Sequence, residues 1–266
     1  MNLMKKFLVT GVLCAMAVNI FANGTAETQS SGSIVDQIKA RGVVKVATGT
    51  YVPFEFRDAK TDKIVGFDID LAQLIADKLG VKLEVSDMPF TTIIPSVEKG
   101  DYDFSIAAMY DTPARRKIVL MSDSYMKTGM VLVAKKGNPL GIKTLQDCNG
   151  LKVGVKAGAT SQKVAEDAKE KYGLNYKIVG YDETVGCVSD LEVGRVDAVV
   201  NDLLNELELE KVHPGVEIVS DDPFTTADLA CATKIGNDDL MKIINEVIAT
   251  YKTDGTYDKL YQKWLK

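Results

Sequence analysis

Strand, helix, strand, helix, strand is written twice along this chain, and that alternation restricts it to sheets with parallel strands covered by helices. In the first round residues 34–40 make a short amphipathic helix and the β-branched run 43–47 a buried strand. Residues 66–80, GFDIDLAQLIADKLG, form the clearest helix: Leu71, Leu74, Ile75 and Leu79 recur at helical spacing, acidic residues crowd the start and Gly80 follows the end. A strand at 81–85, a helix at 93–99 with Pro95 in its first turn and a strand at 102–108 complete the round. The polar turn Lys135, Lys136, Gly137, Asn138, Pro139 marks a crossing, and a second round follows with strands at 151–155, 176–179 and 197–200. Its helices are read at 161–172, 184–193 and 202–211. A final strand at 229–234 and helices at 238–252 and 257–266 are too little for a third domain. They are therefore assigned back to the first lobe, giving lobe one as 34–128 with 229–266, lobe two as 129–228, and hinge strands near 125–132 and 226–230.

Ahead of the first helix lies a different kind of segment. Lys5 and Lys6 precede an apolar run over 7–22, broken only by Thr10, Gly11, Cys14 and Asn19, which is the layout of a secretory signal peptide cleaved after Ala22 or Ala26. A membrane anchor needs ~20 apolar residues, and this run falls short. Residues 23–33 read as a flexible tether, and an exported, periplasmic protein is expected. Lipidation at Cys14 is disfavoured, because Leu13 stands where lipoprotein cleavage wants a small residue. Without Lys5 and Lys6, 30 basic residues face 37 acidic ones, an excess of negative charge that argues against nucleic acid as a partner. Cys148, Cys187 and Cys231 fit no zinc spacing and His213 is the only histidine, so no metal or cofactor is expected. An oxidised pair and three buried thiols both stay open.

Residues 107–117, AAMYDTPARRK, follow the strand at 102–108, so Arg115 and Arg116 fall in the loop where α/β proteins bind small molecules. Asp111, Thr112 and Pro113 start a helical turn there. A guanidinium so placed offers a planar fork of donors to a carboxylate, which a lysine cannot reproduce. The same spacing also suits two arginines on a solvated helix face. Without further information Phe90 reads as core, Tyr51 as a loop aromatic, Asp202 as a helix N-cap and Lys156 as a surface charge.

The strings TGTYVPFEF, GFDIDLAQLIADKLG, Phe90 before TTIIPSVEKGDYD, TPARRK with SDSY after it, VGVKAGAT, GRVDAVVND and DGTYDKLYQKW occur in that order. Together they resemble bacterial extracytoplasmic solute-binding proteins of the polar amino-acid type, which serve ABC importers; the likeness spans about residues 34–266. It implies a two-lobe, type II periplasmic-binding-protein fold, each lobe a mixed, mostly parallel sheet flanked by helices, joined by a two-strand hinge around one amino acid. By that resemblance Arg115 pairs the ligand α-carboxylate, Asp202 holds the α-ammonium, and Tyr51 and Phe90 wall the side chain. Thr160 caps the carboxylate at a helix N-terminus, and Ala108 contributes backbone.

Two positions depart from the family pattern. Tyr110 replaces a threonine or serine that helps hold the ammonium, and Thr48 replaces an aspartate found in relatives that take cationic or glutamine-like side chains. Lys156 and Asn201, near the expected distal end, favour a carboxylate or amide oxygen at the ligand tip. The expected ligand is a polar neutral or acidic amino acid such as glutamine or glutamate, bound by a monomer whose closed form docks a membrane ABC permease. Rival readings are a sensor domain or adaptor for a receptor, and an enzyme such as a dehydratase. The acid–base candidates for the latter, Asp111, Glu183 and Glu55, form no recognisable pair.

Overall fold

The computed structural model describes residues 32–266; the expected signal peptide, Cys14 and the tether up to residue 31 lie outside the described residues. Ser33, expected to end that tether, instead caps the first helix by accepting a hydrogen bond from the Asp36 amide at 3.2 Å, as short hydroxyl residues do at helix starts. The chain then forms α1 (Ile34–Arg41), β1 (Val43–Thr48), a hairpin of β2 (Phe56–Arg57) and β3 (Ile64–Val65), α2 (Phe67–Leu79), β4 (Lys82–Asp87), α3 (Phe90–Lys99) and β5 (Phe104–Ser105). A short α4 (Pro113–Arg116) and β6 (Val119–Met121) lead into the long β7 (Met126–Lys135). Next come β8 (Lys152–Lys156), α5 (Thr160–Tyr172), β9 (Lys177–Tyr181), α6 (Thr184–Glu192), β10 (Ala198–Asp202), α7 (Leu203–Glu210) and β11 (Val216–Ile218). The chain returns through β12 (Thr225–Leu229) and β13 (Ala232–Lys234) and ends in α8 (Asp238–Tyr251) and α9 (Thr256–Trp264).

Two mixed sheets result. The first has the order β4-β1-β5-β13-β6, parallel across β4-β1-β5 where helices make the crossovers and antiparallel where β13 returns from the second sheet. The second has the order β11-β7-β10-β8-β9, parallel across β10-β8-β9 and antiparallel at β7. Strands β7 and β12 pair antiparallel from Met126 opposite Leu229 to Met130 opposite Thr225, so the chain leaves and re-enters the first lobe on neighbouring strands. Gly129 sits in this ribbon because a Cβ there would fall 2.4 Å from the Thr225 carbonyl oxygen.

Apolar faces read from the sequence supply the core. Leu71 and Ile75 of α2 are buried with Leu240 and Ile244 of α8 on one side of the first sheet, while Ile93 and Val97 of α3 cover the other with Ala47, Met109 and Val119. In the second lobe Cys187, Val188 and Leu191 of α6 pack with Val131, Val133 and Val199. Cys148, Cys187 and Cys231 are free and buried, so they act as small hydrophobes. The C-terminal helix is tied to α2 by Trp264 Nε1 and Lys263 Nζ, each 2.7 Å from Asp70 Oδ2.

Several elements differ from the sequence expectation. Strand β5 is only two residues long, because the backbone turns away at Ala108, which takes φ +45°. Helix α3 starts at Phe90, so Pro95 lies in its body and forgoes one helical hydrogen bond. Strands β2, β3, β6 and β11 are too short to carry a readable alternation.

Gly66 seats α2 against the loop before it. Its φ is +138° and a Cβ would lie 2.1 Å from the Phe54 carbonyl oxygen, while the amides of Phe67 and Asp68 bond the Pro53 and Phe54 carbonyls at 3.0 and 2.9 Å. Gly66→Ala is therefore expected to destabilise the protein by about 3 kcal/mol. The check is a lowered denaturation midpoint at unchanged m-value; a loss under about 0.5 kcal/mol would show that this contact does not seat the helix.

Candidate functional site

A narrow cleft between the two sheets, with a free cavity of only about 20 Å³, is lined by Tyr51, Phe90, Ala108, Tyr110, Arg115, Met130, Lys156, Thr160 and their neighbours. Its first-lobe wall is built by α4 and the loop before it. Thr112 accepts from the Arg115 amide at 3.3 Å and Pro113 occupies the first helical position, a start that turns the two arginines in opposite directions. Arg116 faces solvent and pairs Asp111 at 2.6 Å, so for it the solvated-face reading is the correct one. Arg115 turns inward, donates from Nη1 to the Tyr110 carbonyl at 2.6 Å, and places its guanidinium carbon 5.4 Å from the centre of the Phe90 ring. Burial lowers its pKa to about 10, which leaves it charged at neutral pH. Across the cleft Thr160 opens α5, whose N-terminus has no side-chain cap. Its first-turn N–H groups are thus available to an anion.

Tyr110 and Asp202 join the lobes. Asp202 ends β10 and caps α7, its Oδ1 accepting from the Leu204 and Asn205 amides at 2.9 and 3.4 Å, while Oδ2 accepts from the Tyr110 hydroxyl at 2.5 Å. Burial raises Asp202 to about 6, with the Tyr110 hydrogen bond acting the other way. Burial and the Asp202 charge push the Tyr110 phenol far upward, so it is a donor at all ordinary pH. Side-chain hydrogen bonds also cross the cleft from Tyr51 hydroxyl to Asn201 Oδ1 at 2.8 Å, from Lys156 Nζ to the Thr50 carbonyl at 3.0 Å, and from Asn205 Nδ2 to the Val52 carbonyl at 2.5 Å.

Lys156 is buried rather than solvated, with Nζ 4.5 Å from the Tyr51 ring centre and 5.3 Å from that of Phe90. Burial lowers its pKa, and Glu55 and Glu183 act in the opposite sense. Glu55 is fully buried, and neither of its carboxyl oxygens meets a hydrogen-bond partner. The sequence reading named it only as an acid–base candidate. The signal that could have promoted it is a carboxylate set between Phe54 and Phe56, where burial without a purpose is expensive.

Several expected residues take other roles. Thr48 does not line the cleft: it is fully buried and its hydroxyl donates to the Ile106 carbonyl at 2.7 Å, bracing β1 against the chain after β5. Asn201 is saturated by its own lobe and Tyr51. Its Nδ2 donates to Asn205 and Glu206 at 2.8 and 2.7 Å, and its Oδ1 also takes the Asp202 amide at 2.8 Å. It orients Tyr51 instead of offering a free amide. Ala108 lines the cleft, but its N–H is committed to Asp68 Oδ2 at 2.7 Å.

Residues 44–266 match the family model for bacterial extracellular solute-binding proteins, family 3. The L-cystine-binding protein TcyJ of Escherichia coli is 31% identical over 250 residues, which cover 94% of this chain and 92% of TcyJ. An ancestral arginine-binding protein solved with arginine is 42% identical, with a TM-score of 0.79 over 85% of this chain and 99% of its own. An ancestral arginine-binding protein solved with glutamine is also 42% identical, with a TM-score of 0.77 over 84% and 98%.

Since the phenol of Tyr110 stabilises the ionised form of Asp202, Tyr110→Phe is expected to raise the Asp202 pKa above its value of about 6. A carboxyl-carbon NMR titration of the variant measures this. An unchanged or lowered midpoint would mean that the two groups are not bonded in solution.

Proposed function

Because the chain belongs to the bacterial extracellular solute-binding proteins of family 3, we propose that it is the exported amino-acid-binding component of an ABC importer, and that its cleft encloses a polar neutral amino acid of the glutamine type. The observation that carries this is the bridge through Tyr110. Arg115 of the first lobe donates to its carbonyl and Asp202 of the second accepts from its hydroxyl, so a half-buried cation and a buried carboxylate from separate lobes stand on either side of one residue. An α-amino acid carries the two complementary charges at that scale. Its carboxylate would face Arg115 and the first turn of α5, and its ammonium would face Asp202. Tyr51 and Phe90 would flank the side chain.

The distal end argues for a neutral tip. Lys156 alone would favour a carboxylate, but the buried Glu55 and the Glu183 charge compensate it, so glutamate is disfavoured. An amide would offer its carbonyl to Lys156 and its N–H groups toward Glu55, which borders Gly49 together with Lys156 but does not itself line the cleft. Arginine is the second reading: it is favoured by the unpartnered Glu55 and opposed by Lys156.

Only the closed arrangement makes every contact, so ligand shifts the population of open and closed lobes about β7 and β12. The closed form would then dock a permease. Among the described residues no helix is long and apolar enough to cross a membrane, so translocation would fall to that partner.

Calorimetry against a panel of amino acids is expected to show glutamine binding at micromolar affinity or better, ~8 kcal/mol, with glutamate weaker and glutamine recovered chemically unchanged. Arg115→Ala should weaken glutamine by about 3 kcal/mol, more than 100-fold, by leaving the carboxylate unpaired. Tight arginine binding with no response to glutamine would overturn the ligand class, and an unaffected Arg115→Ala would overturn the site.

A further inference from the structure

Glu55 and Asp68 are fully buried neighbours: the Asp68 amide bonds the Phe54 carbonyl at 2.9 Å, and the two carboxyls lie within hydrogen-bonding reach of each other. Asp68 Oδ2 takes the Ala108 amide at 2.7 Å and the Tyr125 hydroxyl at 3.0 Å, but its Oδ1 and both oxygens of Glu55 meet no donor. Ionised carboxylates only accept, so three buried acceptor oxygens would stand orphaned beside one another. Two such charges out of water repel and go unsolvated. One proton between them removes both problems, because it turns an orphaned acceptor into a donor for its neighbour. The Lys156 ammonium is near enough to matter: a Cβ on Gly49 would lie 3.6 Å from Glu55 Oε1 and 4.0 Å from Lys156 Nζ, so both groups border the same glycine.

We propose that Glu55 and Asp68 hold one proton in common, carried on Glu55, and that this proton makes the distal end of the cleft select neutral over cationic ligand tips. The selection rests on the reading of the cleft as an amino-acid site; the shared proton does not. With the proton in place the pair carries one negative charge, which Lys156 balances. An amide tip leaves that balance intact, using the remaining Glu55 oxygen as its acceptor. A guanidinium or ammonium tip adds a positive charge and enters by exchange, with the proton passing to solvent as Glu55 ionises. The titratable groups facing the pair are Lys156 from β8, Glu183 at the start of α6, Tyr51 on the same loop, Tyr125 before β7, Cys231 between β12 and β13 and Tyr251 near the end of α8. Burial raises both carboxyls, Asp68 to about 7, and Lys156 alone among these neighbours pulls Glu55 down.

The test compares wild type with Glu55→Gln, an isostere that keeps a donor facing Asp68, and with Asp68→Asn as a second variant. Infrared difference spectra at neutral pH should show a protonated carboxylic acid in wild type that is missing from Glu55→Gln; Glu206 and Asp202, also raised by burial, are common to both and cancel. Calorimetry between about pH 5.5 and pH 8.5 should then show the affinity for arginine relative to glutamine rising up to about tenfold per pH unit in wild type and staying flat in Glu55→Gln. Identical spectra overturn the shared proton. Differing spectra with a flat affinity ratio, or no arginine binding at the upper pH, overturn the charge selection. Absence of glutamine binding strikes the reading of the cleft and leaves the spectra to decide on the proton.

Discussion

One buried carboxylate, that of Asp68 in the first turn of α2, fixes the geometry on which the cleft depends. It holds the Ala108 amide and the Tyr125 hydroxyl at the same oxygen, and so ties together the loop after β5, the entry to the hinge strand β7 and the helix that carries it. Ala108 sits at φ +45°, a conformation that is uncomfortable for an alanine by about 1 kcal/mol or more. A charge-assisted hydrogen bond can offset that. The turn it stabilises ends β5 early and sends the chain into the cleft, where Tyr110 and Arg115 follow within seven residues. The helix dipole of α2 favours a negative charge at this end, and burial opposes it; the pKa of about 7 records that burial prevails.

The same logic of helix termini recurs at each working part of the cleft. Arg115 is aimed by a four-residue helix capped at Thr112, Asp202 is itself the cap of α7, and α5 leaves its N-terminal amides without a side-chain partner. Each is positioned at the end of a strand or the start of a helix, where backbone geometry is rigid and a side chain has few alternatives. A loop-borne clamp would spend part of its binding energy on ordering. On the proposed reading, placing the two charged groups on different lobes would make lobe closure and charge pairing a single event, since neither lobe alone could satisfy both ends of a zwitterion.

How far these features could be read from the sequence depended on the range of the interaction. Helix boundaries were legible to within one to three residues because caps and apolar spacing are local: Gly80 ends α2 and Gly100 ends α3 where the pattern says they should. That Arg115, Tyr51 and Phe90 border the cleft was legible from chemistry together with family likeness. The facing of Thr48 was not. The last three residues of β1 are all buried, so period-two alternation gives no face for it. Asn201 was misjudged for a related reason, since its four partners come from Tyr51, its own neighbour and the following helix, a saturation that only coordinates reveal. Glu55 and Asp68 are separated by the β2–β3 hairpin, whose two-residue strands leave no periodic signal, so nothing in the linear order announces that the carboxyls meet.

The departure at position 110 changes what ligand recognition would have to accomplish. A threonine or serine would add a hydroxyl beside a ligand ammonium, whereas the longer Tyr110 reaches Asp202 itself and takes one of its oxygens at 2.5 Å. Lys156 likewise already satisfies the Thr50 carbonyl and lies over Tyr51. On the proposed reading an incoming amino acid therefore competes with contacts that the protein makes across its own lobes. What this end of the site contributes is then the difference between an ammonium–carboxylate bond and a phenol–carboxylate bond, which is smaller than the ammonium–carboxylate bond alone. Such exchange favours ligands that bring a full charge to Asp202 and still leave Tyr110 a partner, for example the carboxylate or carbonyl oxygen of the same molecule. It penalises any that fill the cleft without re-pairing the phenol, because a displaced hydroxyl left buried and unbonded costs roughly 1–3 kcal/mol. Discrimination at this end thus comes from what the ligand does for Tyr110 as much as from what Asp202 does for the ligand.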